Sequence, residues 1–176
     1  VIPTHRGAKV PDTLAELAQS NPAVRPAQMD VTSQEEVDRL ARQIAGEPLD
    51  LLINNAGITH DGDARAERQN IGSYDFTLME RIFATNVMGP LRVTQGFAGN
   101  LELGSGKTIV TVSSQHGSLG DPPPTLPELQ GTFYCASKAA LNREMQVVAE
   151  VLAPKGIGLL LFNPGAVKTE RHEEYV

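Results

Sequence analysis

Leu49-Asp50-Leu51-Leu52-Ile53-Asn54-Asn55-Ala56-Gly57 decides how this chain is read. Residues 49–53 are nearly all apolar, as in a parallel strand covered on both faces, and the run ends in a polar turn containing glycine. In open α/β sheets ligands bind outside the carboxyl ends of the strands, so this turn is where chemistry is expected. Upstream, residues 1–4 read as a short strand, and Pro11 opens a helical stretch with Leu14, Leu17 and Ala18 on one face. Residues 24–31 read as the next strand. Thr32-Ser33-Gln34-Glu35 has the form of a capping box, followed by Val37, Leu40, Ala41 and Ile44 at helical spacing.

Downstream the alternation continues. A polar, turn-rich stretch covers 58–73, and Leu78, Met79, Ile82, Phe83 and Val87 form the stripe of a long helix. Gly89-Pro90 should bend or break that helix, because Pro90 has no N–H to donate. Residues 108–113 are β-branched and read as a strand, 115–131 as a proline-rich loop and 133–152 as a helix. A last strand, 157–162, leads into Asn163-Pro164-Gly165. Strands alternating with helices predict an α/β fold with a parallel sheet, here a single domain over 1–176.

Composition limits the partners. The 176 residues carry 15 Lys and Arg against 21 Asp and Glu, a net charge of −6, with no basic run to hold a nucleic-acid backbone. No apolar segment approaches the roughly 20 residues of a membrane span, and one cysteine, Cys135, makes no internal disulfide, so a cytoplasmic setting is expected. Familiar ligand motifs fail one by one. Gly106-Lys107-Thr108 lacks the P-loop's first glycine, its place being taken by Leu101, and Asp61-Gly62-Asp63 has Gly72 where a calcium loop needs an acid. His5, His60, His116 and His172 have no paired ligand spacing, so no metal site is expected. Nor is there a Gly-x-Gly-x-x-Gly turn: the candidates at Gly104 and Gly156 end at Ile109 and Leu161.

Tyr134-Cys135-Ala136-Ser137-Lys138 places a phenol and an ammonium four residues apart, on one face of a helix. Taken singly this is weak, since a surface Tyr beside a snorkelling Lys has the same spacing. Asn55, Ala56 and Gly57 at a strand end, Asn86 in mid-helix and Ser113-Ser114 at the next strand end are each modest signals too.

In this order, Asn54-Asn55-Ala56-Gly57, Asn86, Ser113-Ser114, Tyr134-x-x-x-Lys138 and Pro164-Gly165 resemble the short-chain dehydrogenase/reductase family. Segments 46–53, 86–95 and 136–142 are similar to its short carbonyl reductases of the C-factor and sniffer type. The resemblance implies a Rossmann-like doubly wound parallel sheet and hydride exchange between a nicotinamide cofactor and a small carbonyl or secondary alcohol. It implies that Tyr134 is the general acid and base, with its phenol lowered by about 3 units through Lys138 and the oxidised cofactor's charge. Ser114 would hold the substrate oxygen, with Ser113 as the fallback, and Asn86 would bend its helix and hold a water leading to Lys138.

For the cofactor the resemblance implies Asn55, Ala56 and Gly57 on the nicotinamide side, Asp30 and Val31 at the adenine, and Pro164, Gly165, Val167 and Thr169 at the carboxamide. Tyr134 and Lys138 would contact it as well. Arg6, following the first strand, favours NADP(H) over NAD(H), because a guanidinium pairs with a 2′-phosphate. The family's helices around Asn86 and after Tyr134 imply a homodimer or homotetramer.

Against the family pattern, the chain starts at Val1 at what corresponds to the second strand and reads as a fragment without the Gly-rich turn and the C-terminal part. A break between the first strand and the one ending at Asn54 is therefore expected. Tyr134 also lies 20 residues after Ser114, a long separation, and Leu119, Leu126 and Phe133 in that region suggest a hydrophobic substrate. The competing reading is a non-catalytic remnant that keeps a dimerisation surface.

Overall fold

The computed structural model describes residues 1–59, 69, 71–121 and 131–165. The elements run β1 (Thr4–His5), α1 (Asp12–Ser20), β2 (Ala27–Gln28), α2 (Gln34–Gln43), β3 (Leu51–Asn54), α3 (Phe76–Phe83), α4 (Gly89–Leu103), β4 (Thr108–Val112), α5 (Thr132–Leu152) and β5 (Gly158–Phe162). All strand pairs are parallel and the fold is Rossmann-like. The strands form two sheets, β1-β2 and β3-β4-β5, so the break expected between β1 and β3 is present.

Helices α2, α4 and α5 cover one face of these sheets. Met29, Val37, Leu40, Ile44, Val93 and Phe97 form one buried cluster, and Leu101, Ile109, Leu141, Met145, Leu152 and Ile157 another. Leu49 and Leu52 pack against both. The opposite face departs from the expectation of strands covered on both sides: Leu51, Ile53, Leu160 and Phe162 are 49%, 56%, 53% and 47% exposed. Strand side chains alternate between faces, and the three packed helices serve only one of them. The stripe of α1 is only partly covered, with Leu14 and Ala18 half-buried and Leu17 exposed.

Local chemistry accounts for the element ends. Ser33, one residue later than the capping box read from Thr32, caps α2 by accepting from the Glu36 N–H, while the Glu36 carboxylate turns back to the Asp30 N–H at 2.8 Å. In place of the bend or break expected at Gly89-Pro90, a π-turn over Ala84–Met88 precedes the pair, its Gly89 N–H reaching back five residues to the Ala84 carbonyl, and α4 runs on from Gly89. Helix α4 ends against β3. There the Asp50 carboxylate accepts from the Gly106 and Ser105 N–H groups at 3.0 and 2.7 Å, which holds it below the usual carboxylate range.

Gly104 lies so close to that strand that a Cβ would stand 2.0 Å from the Leu49 carbonyl oxygen. Gly104→Ala is therefore expected to cost about 1–3 kcal/mol or more, as overpacking against backbone does, read as a lower midpoint in urea unfolding. Parent-like stability would show that the α4–β4 turn yields.

Candidate active site

The carboxyl ends of β1, β3, β4 and β5 lead into Arg6, Asn55–Gly57, Ser113-Ser114 and Asn163-Pro164-Gly165. Parallel pairing puts the last three at one edge of the β3-β4-β5 sheet, while Arg6 follows the separate β1-β2 sheet. Helix α5 brings Tyr134 and Lys138 to the same edge. Lys138 is 5% exposed, its ammonium donates to the Val112 carbonyl at 2.9 Å, and it lies 5.8 Å from the centre of the Tyr134 ring.

Burial lowers the Lys138 ammonium from 10.5 to about 8. Burial also pushes the Tyr134 phenol up, while a hydrogen bond with the Ser114 hydroxyl pulls the other way. The resemblance implied a phenol lowered by Lys138 together with the oxidised cofactor's charge; the protein's own groups alone raise it. Desolvation outweighs the hydroxyl, and the nearby ammonium is bonded to a backbone carbonyl. The protein's own groups thus hold Tyr134 as a protonated phenol, the form that gives a proton away.

Two adjacent serines are sorted by their partners. Ser113 donates to the Asn142 side-chain oxygen at 2.5 Å and is buried, whereas Ser114 faces Tyr134. Asn142 in turn donates to the Gly117 carbonyl and braces the short 3₁₀ turn Gln115–Gly117. His116 on that turn meets the Tyr134 ring edge-on at 6.0 Å. Sequence reasoning considered His116 only as a metal ligand and missed this contact.

Asn86 is fully buried in the π-turn. Its amide accepts from the Ile58 N–H and donates to the Ile58 carbonyl, both at 2.8 Å, and donates to Ser137 Oγ at 3.0 Å. Both amide hydrogens are spent on protein atoms, so here Asn86 is a brace for the turn after β3. A Cβ on Gly57 would come within 3.5 Å of Asn86 Oδ1 and 3.7 Å of Lys138 Nζ. Asn54, left out of the sequence-based candidates, ties β3 to its neighbours by donating to Thr94 and Thr111.

The remaining candidates fall into two groups. Asp30 is engaged with its own turn, its carboxylate accepting from the Thr32 N–H and hydroxyl at 2.8 and 2.7 Å. Val31 packs against Gly89, where a Cβ would lie 2.9 Å from it, and Arg6 is exposed with no ion pair among the described residues. Gly165 adopts φ 70° and donates its N–H to Asn163 Oδ1. Val167, Thr169 and Leu126 lie outside the described residues. Phe133, expected to face substrate, is instead buried with Leu78 and Ile82 and stacked on Tyr74. Among the described residues, no cluster of His, Cys, Asp and Glu is arranged to hold a metal, and no helix is long and apolar enough to cross a membrane.

A parallel sheet with a Tyr-x-x-x-Lys pair, a serine and a buried asparagine at its carboxyl edge defines a nicotinamide-dependent oxidoreductase class. The chain belongs to the short chain dehydrogenase family, whose sequence model matches residues 1–176. It is 34% identical over 132 residues to C-signal of Myxococcus xanthus, covering 74% of this chain and 72% of that one. It is 33% identical over 165 residues to a 1-hydroxy-2-glutathionyl-2-methyl-3-butene dehydrogenase of a Rhodococcus species, covering 92% and 66%. The NADPH-bound carbonyl reductase from chicken fatty liver superposes with a TM-score of 0.81 at 27% identity, over 97% of this chain and 73% of the reductase. The chain thus spans about two thirds of the length of these relatives.

Proposed function

We propose that this protein is an NADP(H)-dependent oxidoreductase that interconverts a small carbonyl compound and its secondary alcohol. The observation that carries the reading is the meeting of Tyr134, Ser114 and Lys138 beside the Asn55–Gly57 turn. The residues suit a dinucleotide: Gly57 leaves its surface bare between Asn86 and Lys138, and Arg6 is exposed after the end of β1 with no ion pair among the described residues. Arg6, Asp30 and Val31 follow one sheet and Asn55, Ala56 and Gly57 the other, so a ligand held by both sets bridges the break.

Bound NADPH would supply hydride to the carbonyl carbon. Tyr134 gives its phenolic proton to the carbonyl oxygen, which becomes the alcohol hydroxyl, and Ser114 hydrogen-bonds that oxygen as charge develops on it. Lys138 stabilises the phenolate left behind, and in the oxidising direction Tyr134 takes the proton back. Similarity to an NADPH-bound carbonyl reductase supports the choice of cofactor and substrate class.

Titration with NADPH and NADH, followed by nicotinamide fluorescence, tests the reading. NADPH is expected to bind more tightly, and Arg6→Glu to weaken NADPH about 10- to 100-fold while sparing NADH, the worth of one charged hydrogen bond to phosphate. Equal affinities for both cofactors in the parent chain would remove Arg6 from its role.

A second reading is favoured by one surface. Between α4 and α5 lies an open apolar groove of about 350 Å³ lined by Leu91, Ala98, Val147 and Val151. A second copy of the chain is the occupant we propose, as homodimer or homotetramer, and a chain that dimerises in light scattering without binding NADPH would be a non-catalytic remnant. The net charge of −6 and the single cysteine accord with a cytoplasmic protein that binds neither nucleic acid nor membrane.

A further inference from the structure

We infer that Gln69 is a positioning residue for Tyr134: it caps α5 from 65 residues earlier in the chain and closes a ring of hydrogen bonds that fixes the tyrosine against the turn after β3. The inference rests on the reading of Tyr134 as proton donor.

Helix α5 starts without a cap of its own, because Gly131 precedes it and has no side chain to offer. A capping side chain accepts from the second or third N–H of a helix, and here the third belongs to Tyr134 itself. That N–H donates to Gln69 Oε1 at 3.2 Å. Gln69 is 0% exposed, and its Nε2 donates to the Thr59 carbonyl at 2.8 Å. Its own carbonyl accepts from the Thr132 hydroxyl. A Cβ on Gly131 would stand 2.3 Å from Gln69 Oε1, and Gly131 adopts φ 95°, so glycine is required there on both counts.

The other side of the same residue is held as well. The Tyr134 carbonyl accepts from Ser137 Oγ at 2.7 Å, Ser137 Oγ accepts from Asn86, and Asn86 grips both backbone groups of Ile58. The circuit runs Thr59, Gln69, Tyr134, Ser137, Asn86, Ile58 and closes through the peptide bond between 58 and 59. Two buried amides of fixed length therefore set the separation between the phenol-bearing turn of α5 and the Asn55–Gly57 segment. A residue that merely filled space would need neither of the two hydrogen bonds.

Gln69→Leu keeps much of the volume and removes both bonds. We expect kcat to fall about 10- to 100-fold, the scale of a misplaced catalytic group, with NADPH affinity unchanged. The Tyr134 amide should exchange its hydrogen about 10-fold faster or more, with β4 amides unaffected. Gln69→Glu should regain activity relative to the parent as pH falls, because a protonated carboxyl restores the donor to the Thr59 carbonyl.

Parent-like kcat and parent-like Tyr134 exchange in Gln69→Leu would overturn the inference. So would a loss shared equally by kcat, NADPH affinity and every core amide, which marks a structural role only. If Gln69→Leu does not fold, the Gln69→Glu profile decides, and a pH-independent ratio overturns the inference. Turnover retained by Tyr134→Phe would defeat the proton-donor reading instead, leaving the exchange rate of the Tyr134 amide to judge the cap.

Discussion

Tyr134→Phe is expected to lower kcat/KM for carbonyl reduction about 100- to 10,000-fold, the range that a positioned proton donor contributes. NADPH affinity should be nearly unchanged, because the substitution removes one hydroxyl and keeps the ring against His116. Steady-state NADPH oxidation with a small ketone, beside a fluorescence titration, separates the two. Burial keeps the Tyr134 phenol above its ordinary value, so the parent's reduction rate should stay level through neutral pH. Retention of most of the turnover would show that Ser114 or a water supplies the proton.

Lys138→Met is expected to lower turnover about 100-fold, since among the described residues no other cation stands beside the phenol to steady its conjugate base. It also makes a thermodynamic prediction with a definite sign. The Lys138 ammonium titrates near 8 in the folded chain against an ordinary value of 10.5. Below the lower value the buried charge opposes folding at full strength. Between the two values the unfolded chain binds the additional proton, so stability rises with pH across that window. From pH 7 to 9.5 the parent should gain about 2 kcal/mol relative to Lys138→Met in urea unfolding. Parallel stability curves would mean that water reaches the ammonium.

The elements that could be read in the sequence were those whose information is local. Asn55 to Gly57, Ser114, Tyr134 and Lys138 sit at strand ends or on one helical face, and their order along the chain carried the resemblance that joined them into one site. Pro90, lacking an N–H, marked an irregularity in the helix, but not that it takes the form of a π-turn at Ala84–Met88. Facts set by distant partners were hidden. Leu51 and Ile53 look buried in a run of apolar residues, and only the one-sided packing of α2, α4 and α5 exposes them. Phe133 was expected beside substrate, and only the contacts with Tyr74 and Phe76 show it to be core. Gln69 carries no motif, and its importance arises from a contact across 65 residues of chain. Similarly hidden was the Asn142 side chain that engages Ser113 and leaves Ser114 to Tyr134.

The β1-β2 ladder is only two residue pairs long, too short to hold itself in place. Its position is set by α4: the bare surfaces of Gly89 and Gly96 receive Val31 and Val37, the closest approaches being those a methyl group would block. The segment bearing Arg6 and Asp30 is therefore mounted on a helix that continues directly from the π-turn, whose Asn86 reaches the Tyr134 carbonyl through Ser137. Cofactor preference and proton transfer, chemically separate tasks, share one rigid beam, and a substitution at its glycines would shift both together.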